Sequence, residues 1–111
     1  MYFLFIKVIE QKYKNDIFLA LESVDINKAS YFDAYNLDIS LTDQIPILKG
    51  LFLPEEEKYE KQIIITAMVK EIKQVEEFVK ILEESGMDIR NQEIIRLMTM
   101  PINYYFESGM K

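Results

Sequence analysis

Four residues at predicted loop positions have the chemistry to bind a small anion. Lys49 and Arg90 carry positive charge, while Gly50 and Gly86 allow the backbone to turn closely around a ligand. We therefore predict an effector-binding site at these residues for an anionic small molecule. The alternative is that the two cations form surface salt bridges, since 19 Asp and Glu outnumber 13 Lys and Arg in the chain.

Residues suited to catalysis or metal binding are scarce. The chain contains no His and no Cys, which excludes Ser-His-Asp and Cys-His catalysis and the usual zinc ligand sets. Glu55, Glu56 and Glu57 are consecutive, so they point in different directions unless the loop curls around a hard cation. A solvated run of charge explains them better. With no acids paired on facing elements, we predict a non-enzymatic protein with no metal site and no cofactor.

The charge and hydropathy of the chain limit its partners. A net charge of -6 repels phosphate backbones, and the cations are dispersed, so nucleic acid is not an expected partner. No apolar run reaches the roughly 20 residues that span a bilayer. The opening run MYFLFIKVIEQ lacks the basic leader of a signal peptide and is interrupted by Lys7. We predict a soluble cytoplasmic protein.

Four segments have the pattern of β-strands. Residues 2–9 and 62–69 are short runs rich in branched and aromatic side chains. Residues 94–100 form a similar run that ends at Pro101. In the segment 29–39 the apolar residues alternate with a period of two, which is typical of a strand.

Two segments have the pattern of amphipathic helices. The first is predicted to be capped by Asn15 or Asp16, and the second to end at Gly86. The apolar face of the first comprises Tyr13, Ile17, Ala20, Leu21 and Val24, and that of the second comprises Val75, Phe78, Val79 and Leu82.

The order of these elements is β-α-β, a long connection, then β-α-β. This order predicts an α+β, ferredoxin-like fold for a single domain of residues 1–111, with an antiparallel sheet and both helices on one face. The first strand is apolar on both sides, because Leu4 and Ile6 share one parity while Phe3 and Phe5 share the other. Something must cover the second face, and another copy of the chain is the expected cover.

The element order and the phrases IPILKGLF at 45–52 and YEKQIIITAMV at 59–69 resemble the PII-like (GlnB/CutA) superfamily, in particular an uncharacterised branch of nitrogen regulatory protein PII-like trimers. The resemblance implies a homotrimer whose sheets pack inward. It also implies that the connection at about 40–61 is equivalent to the T-loop, which engages client proteins. The expected function is a regulatory or signalling trimer with a small effector bound between subunits; the alternative is a CutA-like trimer with a structural or metal-tolerance-related role.

One departure from the signalling PII proteins concerns nucleotide binding. Those proteins have a glycine-rich TG-x-x-GDGK loop after the second helix, whereas this chain has EESGMDIRNQE, with one Gly and no Lys. Backbone N–H groups cannot close around a phosphate in the same way there. We therefore transfer no nucleotide-binding residue to this chain.

Apolar side chains within the long connection have two explanations. They are either presented to a client protein or packed on a neighbouring subunit; we favour subunit packing, with only the acidic PEEEKYEK stretch as a mobile tip. The residues concerned are Ile45, Ile47, Leu48, Leu51 and Phe52. The aromatic tail at 104–106 is likewise predicted to pack against a neighbouring subunit in preference to stacking on a planar ligand.

Overall fold

The computed structural model describes residues 1–36 and 60–109. Each half of the chain contributes two strands and one helix, with a short 3-10 turn before the first helix. The elements are β1 (Tyr2–Val8), the 3-10 turn (Gln11–Tyr13), α1 (Lys14–Ser23), β2 (Ala29–Asn36), β3 (Glu60–Val69), α2 (Ile72–Glu84) and β4 (Ile95–Pro101). The predicted order of elements is confirmed.

The four strands form one antiparallel sheet in the order β2-β3-β1-β4. Strand β1 is central and pairs on both sides, so that Leu4 lies opposite Ala67 of β3 and Thr99 of β4. Strands β2 and β4 form the two edges. The predicted α+β ferredoxin-like fold is confirmed.

The hydrophobic core lies between the helices and one face of the sheet. Alternate residues of β1 are fully buried there, namely Leu4, Ile6 and Val8, and Phe78 of α2 is the largest side chain that is fully buried. The predicted apolar faces of both helices point into this core, since Ile17, Ala20, Leu21, Val24, Val75, Phe78 and Leu82 are buried and Tyr13 and Val79 pack against them. Burial of the apolar stripes thus fixes both helices on one side of the sheet.

The start of α1 differs from the prediction. Neither Asn15 nor Asp16 caps it: the helix begins at Lys14 after the 3-10 turn, and Tyr13 is the N-cap without a side-chain hydrogen bond. The N–H of Tyr13 donates to the carbonyl of Glu10 at 3.2 Å, so the turn already leads the backbone into the helix. A polar cap one or two residues later is therefore not needed.

The start of α2 is tied to the end of α1 by one side chain. The amide oxygen of Gln74 accepts from the backbone N–H groups of Lys70 and Glu71 at 3.1 and 3.2 Å, and its Nε2 donates to the carbonyl of Val24 at 3.1 Å. Unpaired groups at the N-terminus of one helix and the C-terminus of the other are satisfied together. The two helices are consequently held in register with each other.

Candidate functional site

The face of the sheet that points away from the helices carries large apolar residues on all four strands. We call it the outer face; by the alternation of strand residues and by the register of the strands it comprises Phe3, Phe5, Lys7, Ser30, Phe32, Ala34, Asn36, Glu60, Gln62, Ile64, Thr66, Met68, Arg96, Met98 and Met100. Phe5 lies opposite Met98, and Phe3 lies opposite both Met68 and Met100. Large apolar side chains from neighbouring strands are therefore side by side.

Several side chains of the outer face are open to solvent in a single chain. The exposed fractions are 53% for Phe32, 52% for Met98 and 51% for Met100. Phe3 and Phe5 are partly buried by their neighbours in the sheet. The exposed apolar residues lie on the two edge strands, since Ile64 of β3 between them is only 6% exposed. Exposed apolar surface is typical of an association site, so the outer face is the main candidate functional surface of the described residues.

One end of the outer face is polar. The ammonium group of Lys7 donates a hydrogen bond to Oδ1 of Asn36 at 3.2 Å, which joins β1 to β2 across the intervening strand β3. Gln62 of β3 is 3% exposed, and its Oε1 has no hydrogen-bond partner within 1–36 and 60–109. Arg96 of β4 lies directly opposite Lys7. This end therefore concentrates two cations and two side-chain amides.

A second polar cluster fastens the segment after β4 to the start of β2. Glu107 accepts hydrogen bonds from the ammonium group of Lys28 at 2.5 Å and from the hydroxyl of Tyr105 at 2.6 Å. The hydrogen bond from Lys28, followed by that from Tyr105, lowers the pKa of Glu107 below its usual 4.5. The same bonds raise the pKa of Lys28 above 10.5 and that of Tyr105 above 10.0. Each group therefore keeps the protonation state that holds this contact over a wide pH range.

Beside this cluster lies a cleft of about 760 Å³, lined in part by Asp25, Lys70 and Glu71. A smaller groove of about 380 Å³ lies between α1 and β2, where the rings of Phe18 and Tyr31 are 5.0 Å apart. Charges of both signs line the larger cleft, and apolar side chains predominate in the smaller groove. Neither arrangement selects a ligand by itself.

The predicted effector site is only partly described by the structure. Gly86 follows the end of α2 with φ +92°, as a turn at that position requires, and Arg90 follows four residues later. The guanidinium of Arg90 is 2.8 Å from Oε1 of Glu83, an exposed ion pair of the kind named as the alternative. Lys49 and Gly50 lie outside the described residues. Effector binding at these four residues stays a prediction.

The predicted subunit or client contact also lies outside the described residues. It comprises Ile45, Ile47, Leu48, Leu51 and Phe52, in the connection at about 40–61. Both interpretations of this segment stay predictions. In the tail, Tyr104 and Phe106 are 84% and 72% exposed whereas Tyr105 is partly buried, so two of the three aromatic side chains are available for contact with another molecule.

Two further observations apply to the described ranges. Within residues 1–36 and 60–109, no group of three or more acidic side chains is placed to hold a metal ion. Neither α1 nor α2 has the length and apolar character needed to cross a membrane.

Two features of the candidate site are not evident from the sequence. The contact between Lys28 and Glu107 joins residues 79 positions apart, and no local pattern indicates it. The polar end of the outer face was present in the sequence as Lys7 and Arg96, but only the strand register places them opposite each other. The alternation along each strand indicates which face of the sheet a residue lies on, but it does not indicate which residue of the neighbouring strand lies opposite.

The architecture and the apolar outer face define a class: ferredoxin-like proteins with the fold of CutA. Among solved structures, CutA1 from Pyrococcus horikoshii is similar with a TM-score of 0.58 and 9% identity, over 97% of this chain and 89% of that one. The periplasmic divalent cation tolerance protein CutA from Archaeoglobus fulgidus is similar with a TM-score of 0.55 and 13% identity, over 96% of this chain and 89% of that one.

A further similar structure belongs to a protein of the DUF3240 family from Shewanella baltica, with a TM-score of 0.57 and 15% identity over 96% of this chain and 94% of that one. No protein-family profile and no curated protein matches the sequence. At these identities the likeness shows the fold alone. It agrees with the predicted GlnB/CutA type of fold at this coarse level, and a nitrogen-regulatory or signalling role receives no support from it. The predicted cytoplasmic location stays a prediction, since one of the similar proteins is described as periplasmic.

Proposed function

We propose that the chain is a non-enzymatic, CutA-like homotrimer whose subunits associate through the outer face, with a structural or metal-tolerance-related role. The observation that carries this proposal is the exposed apolar surface formed by Met98 and Met100 beside the two phenylalanines of β1, together with exposed Phe32 on the opposite edge strand. Burying such a surface against other copies removes apolar area from water, which stabilises the assembly by about 25 cal/mol per Å². The number of three subunits is taken from the PII-like resemblance.

The metal-tolerance part of the proposal comes from the description of the A. fulgidus protein. The chain has no His or Cys, so imidazole and thiolate ligands for soft metals are not available to it. A role in metal tolerance would therefore be indirect or would use oxygen ligands or the thioethers of the six Met. Thermal denaturation with and without Cu²⁺, Zn²⁺ and Ca²⁺ tests direct binding, because a ligand that binds only the folded state raises the melting temperature Tm.

A PII-like regulatory trimer is the second candidate. The cleft of about 760 Å³ beside the tail is within the size range of small-molecule sites, which favours an effector-binding role. In this second proposal a small effector binds this cleft, which neither Gly86 nor Arg90 lines. The predicted anion site near Lys49, Gly50, Gly86 and Arg90 would be a separate one between subunits, and a client protein would bind the connection at about 40–61. A Tm that rises with organic acids or nucleotides but not with metal ions would favour this candidate over the first.

Light scattering on the purified protein tests the assembly. We expect a mass of about three times 13.2 kDa for the unaltered chain and about 13.2 kDa for a Phe3→Lys/Phe5→Lys variant, because charges on the outer face would be buried at the interface. Leu19→Lys is the matched control, since Leu19 is 64% exposed on α1, away from the outer face. A monomeric unaltered protein would rule out the proposed assembly.

A further inference from the structure

Lys7 and Arg96 break a local rule of sheet construction. They lie directly opposite each other on β1 and β4, on the outer face. Side chains in this relation are about 5 Å apart at Cβ, and like charges there destabilise the sheet. The chain as a whole has a net charge of -6, so an excess of basic residues in the composition does not explain this like-charge pair. Where a sequence violates such a rule, a functional site is the common reason.

Among the side chains that the structure describes, which do not include that of Glu60 opposite Asn36, no carboxylate lies at hydrogen-bond distance from either charge. Lys7 has no ion pair there, and its described hydrogen bond goes to the neutral Asn36. Arg96 approaches Oε1 of Glu93, but at 3.9 Å this contact is too long for a hydrogen bond. Lys7 and Arg96 therefore bring two positive charges together, with the Glu93 carboxylate 3.9 Å from Arg96.

Two amides lie at the same end of the outer face. The strand order places β3 between Lys7 and Asn36, and the register puts Gln62 at the level where a line between them crosses β3. Gln62 is 3% exposed, and its Oε1 lacks a partner in the part of the chain that the structure describes. The polar end of the outer face can thus present an ammonium, a guanidinium and the amide of Asn36 together, beside the buried amide of Gln62.

We propose that this end of the outer face is a binding site for a small oxyanion, held chiefly by Lys7 and Arg96. A guanidinium matches the two oxygens of a carboxylate or a phosphate, and the ammonium acts as a second, compact charge. Asn36 supplies an additional donor. This site is separate from the predicted one near Gly86 and Arg90, and its residues all come from one chain. Assembly through the outer face would exclude water from it and so strengthen the electrostatic attraction.

Thermal denaturation in matched salts tests the site. Sodium phosphate and sodium citrate are each compared with sodium chloride at the same pH and ionic strength, so that general screening is constant. At about ten times the dissociation constant we expect Tm to rise by roughly 5 °C in the oxyanion that binds. The two salts distinguish a phosphate site from a carboxylate site, and titration calorimetry with the effective salt gives the stoichiometry.

Variants at the two cations test whether Lys7 and Arg96 are responsible for the rise in Tm. Arg96→Gln, at an exposed position, and Lys7→Gln should each reduce the rise, the double variant should abolish the part due to binding, and Lys7→Arg should keep it. Lys73→Gln/Lys80→Gln on α2 is the control, because it removes two exposed charges away from the outer face and should leave the rise unchanged.

Phosphate and citrate also raise Tm without binding, because they are excluded from protein surfaces, so the test is the difference between the unaltered protein and the double variant. Two results would overturn the proposal: an unaltered protein with equal Tm in chloride, phosphate and citrate, or a rise of the same size in the double variant. A carboxylate elsewhere in the chain that already neutralises the cations would give the first result. Light scattering on the same samples separates this outcome from failure of the assembly. A trimer without the salt effect excludes the anion site alone, whereas a monomer with the salt effect excludes the assembly alone.

Discussion

Asp25 and Gly86 occupy equivalent positions at the ends of the two helices. Both have positive φ, +61° for Asp25 and +92° for Gly86, and each lies two residues after the last helical residue. The N–H of the following residue, Ile26 or Met87, donates to the carbonyl of the residue five positions earlier. Each helix therefore ends in a Schellman motif, and only the second has the glycine that suits it.

The first prediction follows from this difference. Asp25→Gly should raise the free energy of unfolding by about 0.5–1 kcal/mol, because glycine adopts the left-handed conformation without the steric cost that a Cβ brings. Urea denaturation followed by circular dichroism measures the change. Asp25→Ala is the control and should give no gain, since alanine keeps the Cβ. Equal stabilisation by both substitutions would show that loss of the carboxylate, and not the backbone conformation, is responsible.

The second prediction concerns the glycine at the equivalent position of the other helix. Gly86→Ala should lower the free energy of unfolding by about 1–2 kcal/mol through backbone strain alone, since a Cβ built at this position has no atom within 4 Å. Gly86→Asn should cost less, because asparagine tolerates positive φ. The same urea titrations give both values. A cost for asparagine larger than that for alanine would contradict the explanation.

The third prediction concerns pH and the segment after β4. The pKa of Glu107 is lowered, so its contribution to stability is present above pH 4.5 and is lost as the pH falls through the lower folded-state value. The pKa values of Lys28 and Tyr105 are raised, so their contributions are present below about pH 10 and are lost as the pH rises through the higher folded-state values. We expect the tail to be fastened between these limits and released outside them.

Limited proteolysis across a pH series, with a protease active over that range, measures release of the tail. Glu107→Gln should remove the acidic step in cleavage rate, since an amide does not titrate. Glu93→Gln is the control, because its carboxylate is exposed and makes only the 3.9 Å contact with Arg96. An acidic step that survives in Glu107→Gln would assign the release to another group.

The fourth prediction tests the packing of the core. Phe78→Ala should lower the free energy of unfolding by about 3–5 kcal/mol, because Phe78 is fully buried between α2 and the sheet and its removal leaves a cavity. Val79→Ala, at a partly buried position on the same helix, should cost distinctly less. Urea denaturation compares the two. Similar losses for both variants would mean that the core collapses around the missing ring.

The fold was predictable because apolar periodicity is pronounced in β1, β3 and both helices, although in β2 the alternating residues Tyr31 and Tyr35 are exposed. Leu4 and Ile6 alternate with Phe3 and Phe5, and this double alternation predicted both the core face and the apolar outer face. The start of α1 was predicted wrongly, since a polar residue signals a cap only when no turn precedes it, and a 3-10 turn ends at Tyr13 here.

The details of the candidate site were less predictable for a physical reason. Sequence patterns report which face a residue occupies, whereas its neighbours depend on register and on contacts between distant segments. The pairing of Lys7 with Arg96 requires the alignment of β1 with β4, and that of Lys28 with Glu107 requires the path of the tail. The effector residues Gly86 and Arg90 were chosen from loop chemistry alone, and Arg90 pairs with Glu83 as the alternative expected.

The central position of β1 has a consequence for how the protein is made. Strand β1 is the first to leave the ribosome, but its two partners, β3 and β4, begin at residues 60 and 95. Both backbone edges of β1 therefore stay unpaired, and its apolar side chains stay exposed, until nearly the whole described chain has been synthesised. Such long-range pairing slows folding and leaves strand edges open to aggregation in the meantime. Aggregation through β1 is therefore the main hazard while the chain is being made.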